Sequence, residues 1–167
     1  YQQNEFMQQD NLQNPSLNDQ ILEIGYEWID FMYDFKIFDL LCETALSDDT
    51  FSVKIAAATS LAEISQYLPH QYLSELILDH NFIDIYENLL NSEKETYNAI
   101  ILALQSILEL LEKMTVDANG IELFNKLSES NLLNELEENG RDYDDDSLME
   151  TVNMVIQKAI LQRNRFT

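Results

Sequence analysis

One helical pattern occurs three times along this chain. Val53, Ala57, Ser60, Leu61 and Ile64 place small or apolar residues at offsets of 0, 4, 7, 8 and 11. Thr96, Ile100, Ala103, Leu104 and Ile107 repeat the same offsets, and so do Leu148, Val152, Val155, Ile156 and Ala159. Such spacing lines one face of an α-helix, whereas a strand would alternate. The copies start 43 and 52 residues apart, and the longer interval holds the polar run ENGRDYDDDS. Each copy follows a polar, acidic turn: SDDT, NSEKE and YDDDS. Between copies, HQYLSELILDHNFIDIYENLLNSE reads as a short helix, a break at His80-Asn81 and a second helix. IELFNKLSESNLLNELEENG repeats this order, with its break at Ser130-Asn131. Asn tolerates the left-handed backbone that ends helices, so it can stand where Gly often does. The unit is short helix, helix, long helix. A single such unit cannot hide its own apolar face, so neighbouring units must stack.

Composition agrees. With only 3 Gly and 2 Pro in 167 residues, the chain lacks the turn formers that a sandwich or barrel needs. Hydrophobic residues make up 46% of it, enough for a real core. Residues 1–20 are rich in Gln and Asn and read as an irregular lead-in ending near Pro15. Ser16 is placed to cap a first helical run that is too long for one amphipathic face, so a break is expected near Tyr33 to Phe35. Asp48, Asp49 and Thr50 all suit the N-cap of the next helix. The helical repeat domain is expected over residues 21–163, with a tail at 164–167.

Nine basic against 31 acidic residues give a net charge of −22. Nucleic acid and anionic membranes would be repelled, while a basic partner would be attracted. No apolar run is long enough to span a bilayer, and no signal peptide is visible, so the chain reads as soluble and intracellular. The single cysteine, Cys42, lies in the apolar run IFDLLCETAL and reads as a packing residue. His70 and His80 match no zinc spacing. The acidic run Asp142, Asp144, Asp145 and Asp146 lacks the pattern of a calcium loop and reads as solvated, with Asp146 or Ser147 capping the last helix. No phosphate-cradling glycine loop and no nucleophile motif stand out. No catalysis, metal or cofactor is expected.

A period near 43 residues with three helices is that of armadillo and HEAT repeats. VKIAAATSLAEISQYLPHQYLSELILDHNFIDIYENLLNSEKETYNAIILALQSILELLEK resembles consecutive armadillo repeats. The stretch from Ala103 to Ile160 is similar to the last repeats of importin-alpha: a helix end, an Asn-Gly-Ile turn, a short helix, an apolar LLNELEE-like helix, an acidic loop and a final long helix. The resemblance covers roughly Phe35 to Ile160. It implies an all-α, right-handed α-solenoid of about three armadillo-type three-helix repeats, acting in nuclear protein import in cytoplasm and nucleus. Its partner would be a basic peptide of the nuclear-localisation type or a transport receptor. The bland alternative is a generic armadillo or HEAT-like scaffold with an unrelated protein partner. In importin-alpha the third helices line a groove where a Trp and an Asn one turn later grip the peptide. Here those positions fall on Thr59 and Glu63, on Leu102 and Ser106, and on Met154 and Lys158. The gripping pair is missing from each, which fits either the terminal part of such a protein or a relative with another task. The only tryptophan, Trp28, lies upstream with no Asn one turn on.

Overall fold

The computed structural model of the chain describes residues 17–34, 36–47, 50–90, 95–140 and 146–167. Among the described residues there are nine α-helices and no strand. They are α1 (Leu17–Asp34), α2 (Ile37–Leu46), α3 (Phe51–Ser65), α4 (His70–Asp79), α5 (Phe82–Glu87), α6 (Glu95–Lys113), α7 (Ala118–Glu129), α8 (Leu132–Gly140) and α9 (Asp146–Phe166). The chain divides into two compact units, residues 1–35 and 36–167. In the first, α1 begins at Leu17, so the last residues of the expected lead-in are helical. Ser16 lies outside the described residues. Trp28 and Phe31 of α1 meet edge to face at 5.7 Å between ring centres, and both are exposed.

The second unit holds α2 to α9. Its helices pack with a regular offset: α2 on α5, α3 on α6, α4 on α7 and α6 on α9. Each lies against the element three places later in the chain. The three striped helices are α3, α6 and α9, and α6 packs against both of the others. The centre of the core is α6, where Leu104, Ile107, Leu108, Leu110 and Leu111 are almost wholly buried. Burying each such side chain stabilises the fold by roughly 1.5–3 kcal/mol relative to exposure.

The helix ends show how local sequence sets the breaks. The break expected near Tyr33 to Phe35 falls after Asp34, where α1 ends, and Lys36 takes up the left-handed conformation (φ 54°) just before α2. Asn81 does the same (φ 55°) between α4 and α5, as its residue type favours. Asn131 does not. There Ser130 is extended (φ −74°, ψ 150°), and the Asn131 N–H donates to Glu87 Oε1 at 2.6 Å. A carboxylate from α5 thus replaces the left-handed turn that Asn131 is suited to form. Thr50 stands at the N-cap of α3, but its side chain makes no capping bond. Asp48 and Asp49 fall outside the described residues.

Asp117 caps α7. Its Oδ1 accepts from the Gly120 N–H at 3.0 Å, and its Oδ2 accepts from the Thr115 hydroxyl at 2.6 Å. The Asn-Gly-Ile triplet expected as a turn is therefore the first turn of α7 itself. Gly120 is needed there by close approach: a Cβ would lie 2.5 Å from the Thr115 carbonyl oxygen and 3.0 Å from the Phe166 ring. Helix α9 runs to Phe166, so most of the expected tail is helical. Phe166 stacks on Phe124 of α7 with ring centres 5.4 Å apart, which fixes the end of α9.

Candidate functional site

The opening stripe on α3 buries a small-residue face. Ala57, Ala58, Leu61, Ala62 and Ser65 are buried, and Val53, at the start of the stripe, is 43% exposed. Alanines at 58 and 62 allow α3 neighbours to approach closely. The Tyr86 hydroxyl of α5 donates to the Ala58 carbonyl at 3.0 Å. The Ser65 hydroxyl lies 2.8 Å from that of Ser106 on α6. Ser106 in turn donates to the Leu102 carbonyl at 3.1 Å, so the buried pair satisfies itself across the two helices.

The six positions matched to the importin-alpha groove lie on three successively packed helices. Glu63 is exposed and Thr59 half-buried on α3. Leu102 is half-buried on α6, whereas Ser106 is buried in contact with α3. Met154 is exposed on α9, and Lys158 is half-buried. Lys158 Nζ pairs with Glu112 Oε1 of α6 at 3.7 Å. Ser106 and Lys158 are thus engaged in holding α3, α6 and α9 together. Thr59, Glu63, Leu102 and Met154 supply the surface.

Three further ties were not anticipated from the sequence, and each joins an element to the one three before it. Lys126 of α7 donates to the carbonyls of Ile77, at 3.4 Å, and Leu78 in α4. The Asn131 N–H before α8 donates to Glu87 of α5. Arg165 of α9 donates to the carbonyls of Leu111 at 2.8 Å and Glu112 at 3.0 Å, and to that of Met114, at the end of α6. The C-terminal carbonyls of a helix carry its negative dipole end, so a cation belongs there. One signal was available: with nine cations in the whole chain, each one near a helix end is worth locating.

Between α4, α5 and α7 lies a cavity of about 320 Å³. Asp84, Glu87 and Glu129 line it together with Lys126. Among the described residues, no group of three His, Cys, Asp or Glu side chains is placed to hold a metal ion. Of the acidic run, Asp142, Asp144 and Asp145 lie outside the described residues, and Asp146 begins α9. Cys42 is a buried packing residue. Burial pushes its thiol up to about 12, with Asp39 and Glu43 adding to the effect, so it stays protonated at neutral pH. The Tyr86 phenol is likewise raised, by burial first and by Cys42 second. No helix among the described residues is long and apolar enough to cross a membrane.

Among the described residues the fold is all-helical. The sequence model of the family described as Focadhesin/RST1, DUF3730, matches residues 6–130. The chain belongs to that family. The matched span takes in α1 to α7 and ends at the C-cap of α7. Neither importin-alpha nor armadillo repeats are named by this match. No curated protein and no solved structure matches the chain.

Proposed function

We propose that this Focadhesin/RST1 domain is a non-enzymatic scaffold that binds protein partners along ranked helix faces. The observation that carries the reading is the packing of α2 on α5, α3 on α6, α4 on α7 and α6 on α9. In this reading the second unit is a right-handed α-solenoid of about three armadillo-type repeats. A stack of this kind offers a long face to an extended partner. Its acidity selects the partner's charge: at −22 it favours a basic segment and repels polyanions. Glu63 is the exposed carboxylate best placed to meet such a segment, since Thr59 and Glu63 stand one turn apart on α3. The import-adaptor role implied by the resemblance is the narrower form of this reading, and the same titration addresses it.

The test uses a labelled Lys/Arg-rich peptide titrated at about 50 and about 300 mM salt, with fluorescence anisotropy as readout. Binding is expected to weaken with salt and to fall at least threefold for Glu63→Lys. Glu122→Lys, at an exposed position of α7, controls for net charge and is expected to change affinity less. Equal losses for the two variants would reduce the effect to bulk charge and remove the groove. Absence of binding would remove the basic-peptide partner.

A further inference from the structure

Helices α3, α6 and α9 form a rank with α6 in the middle. Positions correspond across them at the intervals of 43 and 52 residues that relate their stripes. One side of α6 meets α3: Ser106 bonds Ser65, and Ala99, Ala103 and Leu110 on the same side are buried. On α9 the corresponding side holds Val155 and Gln162, both buried, and Lys158, which pairs with Glu112 of α6. On α3 it holds Ala56, Glu63 and Tyr67, which are exposed, and Ser60, which is half-buried. The other side of the rank begins with Ser65. There α3 buries Ala58 and Ala62 as well, and α6 buries Ile101 and Leu108 around half-buried Gln105. On α9 that side is Asn153, Gln157 and Ile160, all exposed. Each side is therefore covered on two helices and open on the third.

We infer that copies of this chain associate head to tail, the open side of α9 in one copy docking on the open side of α3 in the next. The contact continues one already made within the chain, where the side of α3 that holds Ser65 receives α6. Helix α9 keeps residues that such a contact uses: Gln157 and Ile160 stand where α6 has Gln105 and Leu108. Helix α3 keeps small residues, Ala56 and Ser60, where α6 has Ala99 and Ala103. Charge selects the same two helices. Within its bounds α3 has one acidic and one basic residue, and α9 has two acidic and three basic. Every other described helix has more acidic than basic residues. In a chain of charge −22, α3 and α9 are where a second copy meets least repulsion. Because unlike sides meet, each added copy leaves one open side of each kind, and the association can extend into rows. The inference needs the rank and not the basic partner of the scaffold reading. A row would cover Glu63, so it is tested without peptide.

Sedimentation equilibrium of the full chain at about 50 and about 500 mM salt reads the association. The wild type is expected to exceed the mass of one chain, and more so at the higher salt, because screening shortens the reach of the net repulsion. Peptide binding moves the opposite way with salt, so the two readings fail separately. Ile160→Glu on α9 and Ala56→Glu on α3 each block one open side with the same added charge, at exposed positions. Each variant alone is expected to associate at least about tenfold more weakly than the wild type. Their equimolar mixture is expected to recover a dimer and stop there, since each variant keeps the side that the other has lost. Thermal unfolding checks that both variants are folded, and if one is not, the tenfold loss in the other still decides. A wild type that stays monomeric at both salts would overturn the inference. So would folded Ala56→Glu that associates like the wild type, which would mean that α9 pairs with itself, and so would a mixture that recovers no dimer.

Discussion

Helices α6 and α9 carry the same five-position stripe and meet different surroundings. On α6, Thr96, Ile100, Ala103, Leu104 and Ile107 are each no more than 1% exposed. On α9, Val152 and Val155 are buried, but Leu148, Ile156 and Ala159 keep partial exposure. The reason is place in the rank. Helix α6 has α3 and α9 against it, together with α4, α5 and α7, whereas α9 packs on α6, α7 and α8. The comparison teaches that a stripe announces a face that needs cover, and that the neighbours present decide how much cover it receives.

The sharpest way to break this comparison is truncation at the matched fourth position of the stripe. Leu104→Ala on α6 is expected to cost about 3–5 kcal/mol, as a fully buried leucine should. Ile156→Ala on α9 is expected to cost about 1–2 kcal/mol, because the residue is only half-buried. Urea unfolding measures both, and equal losses would show that rank does not govern burial. Next in size is Gly120→Ala, which drives a methyl against the Thr115 carbonyl and the Phe166 ring that anchors α9. A loss of about 1–3 kcal/mol is expected from this overpacking. Circular dichroism melts would read it, and a neutral result would mean that the α7–α9 junction yields freely.

A smaller effect concerns the link between α3 and α6. Ser65→Ala and Ser106→Ala form a double-mutant cycle with an expected coupling of about 0.5–1 kcal/mol. Ser65 has the Ala62 carbonyl at 2.8 Å as an alternative acceptor, which keeps the coupling modest. Strict additivity would deny that the two hydroxyls act together. Least in magnitude is the cap of α7. The hydrogen bond from Thr115, followed by that from Gly120, holds the Asp117 carboxyl below its ordinary value of 3.8. A lowered folded value means that the contribution is complete above 3.8 and is lost as pH falls through the folded value. Asp117→Asn keeps a capping oxygen without the charge. Melting temperatures of the two proteins should therefore differ at neutral pH and converge in strong acid; a constant gap would exclude the carboxylate as the cause.

Much of the fold is legible in the sequence, and the exceptions have local causes. The break at His80-Asn81 follows from a residue type that accepts positive φ, and Asn81 has it. The break before α2 follows from an apolar run too long for one amphipathic face, yet its left-handed residue is Lys36, which periodicity does not single out. Ser130-Asn131 is a break of another conformation, because Glu87 reaches it from 44 residues away. The candidate surface was harder to read. Ser106 stands one turn after Leu102, so its spacing matches the groove, but that spacing says nothing of which side α3 covers. Lys126 and Arg165 gave no pattern at all, since each depends on a partner distant in the chain.

The amino-acid sequence by itself determined that this protein is helical, that three long helices share one face, and where most helices stop. These are properties of near neighbours: side chains three and four apart meet on one face, and a polar Asn or an acidic turn interrupts the pattern. Tertiary structure alone decided which faces are covered, which cations seal which helix ends, and that Gln162 is buried with an unpaired oxygen. Those outcomes depend on surfaces brought together across 41 to 54 residues of chain, as in Ser65 with Ser106 and Arg165 with Leu111. No local pattern encodes which of several apolar sides a second helix will choose.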